Sequence, residues 1–468
     1  MIHADLIPSL SAIVGRAAVL TGTSTVPYCN DWRGRYSGSA LAVVFPSNTP
    51  QIAEVVKLCS AKRIALVPQG GNTSLCGASV PLTQGEQIVL NLSRMNRILA
   101  FDAINFTMTV EAGCKLADVR MEAEKNNRLF PLGLTATQKY CEIGGNLSTN
   151  AGGINVLRYG NTRDLVLGLE VVLPDGRIWN GLRSLRKDNS GYDLKQLFIG
   201  AEGTLGIISA AVLKLFPRPQ STATACVAIA DADVAVRLLA HVRSNCGDTL
   251  SSFEIISRSC LDLVFKHIPD TDEPFDKHYK YYLLIQLSDV MPGLLGAALY
   301  AALQSFGPDV LEQSVTSDAE AAEKWWKLRK SISEAQKCEG VSIKHDISVP
   351  VSRVAEFITR ADHLLHKAIP GVRIVAFGHM GDGNVHYNVS MSDAEQNRTF
   401  ITQQEAAVNK LVYAVVRELN GSISAEHGLG QLKRETIRDY KDPLELELMR
   451  NIKQTLDPYG LMNPGKVL

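Results

Sequence analysis

The 468-residue chain has no CxxC pair, no net charge, and no apolar run near the roughly 18–20 residues that a membrane helix needs. Each absence closes a class of function. Its nine cysteines are odd in number and scattered, which excludes zinc ribbons, cysteine-ligated iron–sulfur clusters and a disulfide scaffold, and fits reduced thiols. Forty-eight Lys and Arg balance forty-eight Asp and Glu, so no global field draws the molecule to nucleic acid. The opening MIHADLIPSLSAIVG has no Lys or Arg before its apolar stretch and carries Asp5 early, unlike a signal peptide. A cytoplasmic protein that does not span a membrane is expected. A nicotinamide fingerprint is missing as well. Gly200, Gly203 and Gly206 form GxxGxxG followed by β-like alternation, whereas the dinucleotide pattern is GxGxxG opening a helix.

What is present is ordinary globular composition, 46% apolar and 21% charged, long enough for two or three domains. From Leu41 the chain reads strand, helix, strand, with Thr49 as N-cap, Pro50 at the first helical position, and Ile52, Val55, Val56 and Cys59 on one face. The second strand runs into PQGGNTSLCG, where Gly70, Gly71 and Gly77 let backbone amides approach an anion. A second cluster, Gly133 to Gly160, interleaves Gly144, Gly145, Gly152 and Gly153 with Asn146, Ser148 and Asn150. Such density suits a chain laid against a polar ligand. Pro174-Asp175-Gly176 marks a hairpin, and Pro217 and Pro219 mark a boundary. The expected fold class is α+β: a first domain over 1–219, a substrate domain over 220–431 with an antiparallel sheet covered by helices, and a helical segment over 432–468 returning to the first domain.

The sharpest local signal is RIVAFGHMGDGNVHYNVS. If Asp382-Gly383 forms a two-residue turn, His379 and His386 face each other across the hairpin, and Asn388 lies on the same face. Two imidazoles at that spacing can share one metal ion, and Glu426, in SAEHGLG beside His427, would complete a three-ligand site with open positions. The plain alternative is a pair of polar turns with separately satisfied histidines.

PQGGNTSLCGASVP, IGGNLSTNAGGINVLRYG, GAEGTLGIIS, GHMGDGNVH, SAEHGLG and the terminal NPGK together resemble the FAD-linked D-2-hydroxyacid dehydrogenases of the vanillyl-alcohol oxidase superfamily, with its PCMH-type FAD-binding domain. The resemblance implies that Pro68, Gly70, Gly71, Asn72, Thr73 and Ser74 wrap the pyrophosphate. It implies that Gly133, Thr137, Gly144, Gly145, Asn146, Ser148, Asn150, Gly152 and Gly153 line the flavin, with Glu202, Gly203, Gly206, Ile207 and Asn463 closing the site. His379, His386 and Glu426 match the family's metal ligands and His427 its general base. No covalent flavin anchor is assignable, so FAD is expected to be held non-covalently. Zn is the preferred metal, and Mn suits the same donors.

Arg329 and Ser333, four apart on an expected helix, and Lys344 on the next strand match the positions that clamp the distal carboxylate in the D-2-hydroxyglutarate branch, with Asn388 and His427 also at the substrate. The implied reaction is oxidation of the D-2-hydroxyacid to its 2-oxoacid: the cation acidifies the C2 hydroxyl, His427 takes its proton, and hydride leaves C2 for flavin N5. D-lactate or glycolate oxidation is the nearest alternative, and a non-catalytic nucleotide- or metal-binding protein the more distant one. An electron-transfer flavoprotein or a quinone is the implied electron acceptor, and a homodimer is one option for assembly.

Overall fold

Apolar runs without alternation, AVV and QIVLN, make strands Ala42–Val44 and Gln87–Asn91 that are buried on both faces, as parallel strands require. They pair in parallel with each other, Gln87–Asn91 pairs in parallel with Ala65–Gln69 on its other side, and Val19–Leu20 pairs antiparallel with Ala42–Val44 at the opposite edge. The computed structural model describes residues 5–134 and 137–468; residues 1–4 of the N-terminal segment and residues 135–136 of the second glycine cluster lie outside the described residues. Two units are formed. The first comprises residues 1–152, 160–217 and 426–468, and the second residues 153–159 and 218–425.

In the first unit the crossover helix Thr49–Lys62 buries Ile52, Val55, Val56 and Cys59 against the parallel sheet. Each such aliphatic contributes about 1.5–3 kcal/mol of burial. Its cap corrects the sequence reading: Asn48, not Thr49, is the N-cap, because the Asn48 side chain accepts from Gln51 N at 3.0 Å while Thr49 is already helical. An antiparallel sheet follows, in the order Ile98–Asp102, Thr107–Glu111, Ile207–Lys214, Val166–Val172, Ile178–Gly181. The hairpin at 173–177 closes as expected, with Gly176 N donating to Leu173 O. After helix Pro443–Leu456 the chain lays Met462 beside the Ala65–Gln69 strand: Leu66 N donates to Leu461 O, and Asn463 N to Leu66 O.

The second unit is a seven-stranded sheet paired antiparallel throughout, in the order Val310–Thr316, Ser221–Ile229, Tyr281–Asp289, Leu250–Ser257, Val372–Gly378, Asn384–Met391, Ile343–Ser348. Helices cover it, and Ile256, Tyr282, Trp326, Ile332 and Phe377 share one buried cluster with Cys226 and Cys260. Among the described residues no helix is long and apolar enough to cross a membrane, and all nine cysteines are free.

The hairpin carrying the two histidines departs from its expected register. His386 pairs with Phe377 and not with His379, because residues 379–383 form a five-residue connection in place of a two-residue turn. The cause is tertiary. Gly383, at φ +85°, accepts at its carbonyl from Val349 N, a Cβ there would lie 2.2 Å from Val349 O, and Gly381 N donates to Phe253 O. The glycine answers a close approach of neighbouring backbone, which holds the loop open.

Candidate functional site

In the first unit the glycine segments close around a polar lining. Gly71 admits no side chain, since a Cβ would lie 1.9 Å from Tyr140 O, and Gly144 packs its backbone on Ala112. Asn72 takes the left-handed region at φ 52°, donates to Asn30 O at 2.7 Å and accepts from Ser79 at 2.7 Å, so its side chain holds the loop. Ser74 accepts from Cys76 N, Thr73 O accepts from the Trp32 indole, and Asn150 accepts from Arg163 N. Pro68 lies against Gly203, where a Cβ would come within 3.0 Å of its ring. Gly133 and Gly152 are buried, and Thr137 O caps a turn by accepting from Tyr140 N and Cys141 N. Ser148 bonds back to Gly144 O within the short helix Ile143–Ser148.

Among the described residues, some polar atoms of this lining are left without a protein partner. Asn146 Nδ2 and Glu142 Oε2 are buried without a hydrogen bond, and a Cβ on Gly145 would meet nothing within 4 Å. Orphaned polar atoms beside open space fit a bound polar ligand, because their bonding capacity would otherwise be wasted. On that ground the lining fits FAD. Glu142 was not singled out in the sequence; its signal is an acid set directly before IGG. Burial pushes its carboxyl up to about 8 against the pull of Lys115.

Other residues expected to close the flavin site brace the protein itself. Glu202, buried at φ 52°, accepts from Leu429 N at 2.7 Å and Gly430 N at 2.8 Å, and burial raises its carboxyl to about 7. Asn463 donates to Glu202 O at 2.6 Å and Ala78 O at 3.0 Å. Ile207 sits in the core cluster, and a Cβ on Gly206 would come within 2.9 Å of Val171. Glu202 thereby fixes the loop that carries Glu426 and His427, whose Oε1 and Nε2 lie 3.7 Å apart.

In the second unit, to which Gly153 belongs, the structure brings His379 and His386 together by the open loop, with ring centroids 5.5 Å apart at 78°. Glu254 bonds His379 Nδ1 at 2.6 Å and Arg329 Nε at 2.7 Å. Burial opposes ionisation of Glu254, but His379 and Arg329 outweigh it and hold the carboxyl down at about 2. Opposite His386 on the neighbouring strand stands Asp346, with Oδ1 3.8 Å from Nδ1; Asp346 O accepts from the N–H of Ala425, which precedes Glu426 in the chain.

One step along the same strands, Lys344 pairs with Asn388, and both donate to Gln336 Oε1 at 3.0 Å. Arg329, Ser333 and Gln336 lie on helix Ala319–Glu339, with Ser333 exposed and Arg329 buried. Sequence reasoning missed Glu254, Gln336 and Asp346. Asp346 alone left a trace there, two residues from Lys344 and so on the same strand face.

Residues 218–467 match the family described as FAD linked oxidases, C-terminal domain, and residues 40–181 match the FAD binding domain. The chain belongs to the FAD-linked oxidases. It is 38% identical over 448 residues to D-2-hydroxyglutarate dehydrogenase, mitochondrial, of Danio rerio, covering 94% of this chain and 80% of that one. It is 35% identical over 472 residues to the probable mitochondrial D-2-hydroxyglutarate dehydrogenase of Oryza sativa subsp. indica, covering 100% and 82%. The fold matches the crystal structure of p-cresol methylhydroxylase at a TM-score of 0.79 and 16% identity, over 100% of this chain and 96% of that one. This FAD-linked oxidase is therefore a flavin-dependent oxidoreductase with the PCMH-type fold.

Proposed function

We propose that this FAD-linked oxidase converts D-2-hydroxyglutarate to 2-oxoglutarate, the first unit carrying the flavin and the second the substrate. The observation that carries the reading is the polar row Lys344, Asn388 and Gln336, one strand repeat from His386 and Asp346. Residues two apart on a strand are about 6.7 Å apart. That spacing suits a substrate with a hydroxyacid head and a second carboxylate a few bonds away. The names of the Danio and Oryza relatives point to the same substrate.

The glycine-rich lining with Asn146 and Glu142 would hold FAD non-covalently, and FAD would supply a two-electron acceptor. His379, His386 and Glu426 would hold a divalent cation, Zn in preference to Mn, which supplies Lewis acidity at the substrate hydroxyl. The His379 ring is already anchored through Nδ1, leaving Nε2 as its metal-facing nitrogen. His427 takes the hydroxyl proton, with Glu426 beside it. Lys344 and Arg329 neutralise and orient the distal carboxylate, and Ser333 adds a hydroxyl donor. An electron-transfer flavoprotein or quinone takes the electrons onward, and the nine free thiols support a reducing compartment such as the cytoplasm.

The test is a stopped-flow panel of D- and L-2-hydroxyacids followed at the flavin band, for the parent and for Lys344→Met. Loss of one charge-assisted contact should raise KM for D-2-hydroxyglutarate by about tenfold or more while D-lactate changes little. Equal turnover of D-2-hydroxyglutarate by the variant would remove the dicarboxylate assignment and leave the D-lactate or glycolate reading.

A further inference from the structure

Glu254 stands in the interior of the seven-stranded sheet, on Leu250–Ser257, with 1% of its surface exposed. Its two oxygens are divided between partners from distant parts of the sequence. Oε1 meets Nδ1 of His379, in the loop after Gly378, and Oε2 accepts from Nε of Arg329, on the Ala319–Glu339 helix. Arg329 is held a second time, its guanidinium carbon 4.8 Å from the centroid of Phe377, the residue paired with His386.

We propose that Glu254 is a positioning residue that ties the metal-ligand histidine to the carboxylate-binding arginine, so that affinity for the cation and affinity for a dicarboxylate rise and fall together. The inference rests on His379 being a ligand, as read above. A histidine whose Nδ1–H is fixed on a carboxylate presents Nε2 in one tautomer and one direction, and is the more basic for it. An arginine held through Nε keeps its two terminal nitrogens aligned toward a further carboxylate. One buried carboxylate thus sets both ends of the substrate.

The test is Glu254→Gln, purified with its flavin. Zinc affinity is measured by mass spectrometry of the bound metal in chelator-buffered zinc, and KM and kcat are measured for D-2-hydroxyglutarate and D-lactate. Zinc should bind about 10- to 100-fold more weakly, as when an outer-shell partner of a metal-bound histidine is lost. KM for the dicarboxylate should rise about tenfold relative to that for D-lactate, with flavin content unchanged. Glu254→Asp, which keeps the charge but draws it back by one methylene, should lose part of both; it carries the same two readouts should Glu254→Gln not fold. Parent zinc affinity in a folded variant, alongside metal loss in His379→Ala, overturns the coupling. Parent metal content in His379→Ala removes the ligand assignment instead.

Discussion

Two buried glutamates in each unit are held in opposite ways. In the first, burial pushes Glu142 up to about 8 and Glu202 to about 7, and one Glu142 oxygen finds no partner among the described residues. In the second, Glu254 and Glu339 are buried as well, yet both are held at about 2. His379 and Arg329 outweigh burial for the one, and Lys266, His267 and Arg373 for the other. The difference separates two kinds of binding. The first unit leaves Glu142 and Asn146 with polar capacity open, as a lining does that awaits the hydrogen bonds of a large polar ligand. In the second, the charges of Glu254 and Glu339 are met by partners within the protein.

The largest effect is expected at His427, read as the base that takes the substrate's hydroxyl proton. His427→Asn should lower the rate of flavin reduction by about 10²–10⁴-fold, with flavin and zinc content retained. Stopped-flow reduction within a few fold of the parent rate would assign the proton transfer elsewhere.

Gly145 sharpens the contrast from the cofactor side. A methyl group there meets no protein atom within 4 Å, so Gly145→Ala should leave the melting temperature of the apoprotein within about 2 °C, a helical alanine being no worse than glycine. Flavin affinity should fall about tenfold, the cost of crowding a filled site. Titration of apoprotein with FAD reads this, and unchanged affinity would move the flavin away from Gly145.

The smallest effect expected is in the pH dependence of stability, where the two units should run in opposite senses. Glu142 has a folded value above the ordinary 4.5, so its contribution is complete below pH 4.5 and is lost as pH rises toward 8. Glu339 lies below 4.5, so its contribution is complete above pH 4.5 and is lost as pH falls toward 2. In apoprotein melts, Glu142→Gln should flatten the neutral limb and Glu339→Gln the acid limb. A pair of substitutions that flattened the same limb would erase the contrast.

Much of this was legible in the sequence where the cause is local. The Ala42–Val44, Thr49–Lys62, Ala65–Gln69 unit follows from apolar period and a proline near the helix start, and the 173–177 hairpin from Pro-Asp-Gly. Asn48 was passed over as the cap because two adjacent polar residues can both serve, and only the Gln51 N–H decides between them. Asp382-Gly383 misled for a stronger reason: the glycine is required by Val349, more than thirty residues away, and not by the turn it sits in. Glu254 and Gln336 were invisible for the same reason, their partners being set by strand pairing and helix docking across long separations.

The first unit's dependence on residues 426–468 has a consequence for synthesis. Its parallel sheet gains Met462 as a neighbour only after the whole 218–425 segment has left the ribosome, whereas that second unit needs little that follows it. Vectorial folding should therefore complete the later-encoded unit first, while the earlier-encoded one waits with an open strand edge at Ala65–Gln69.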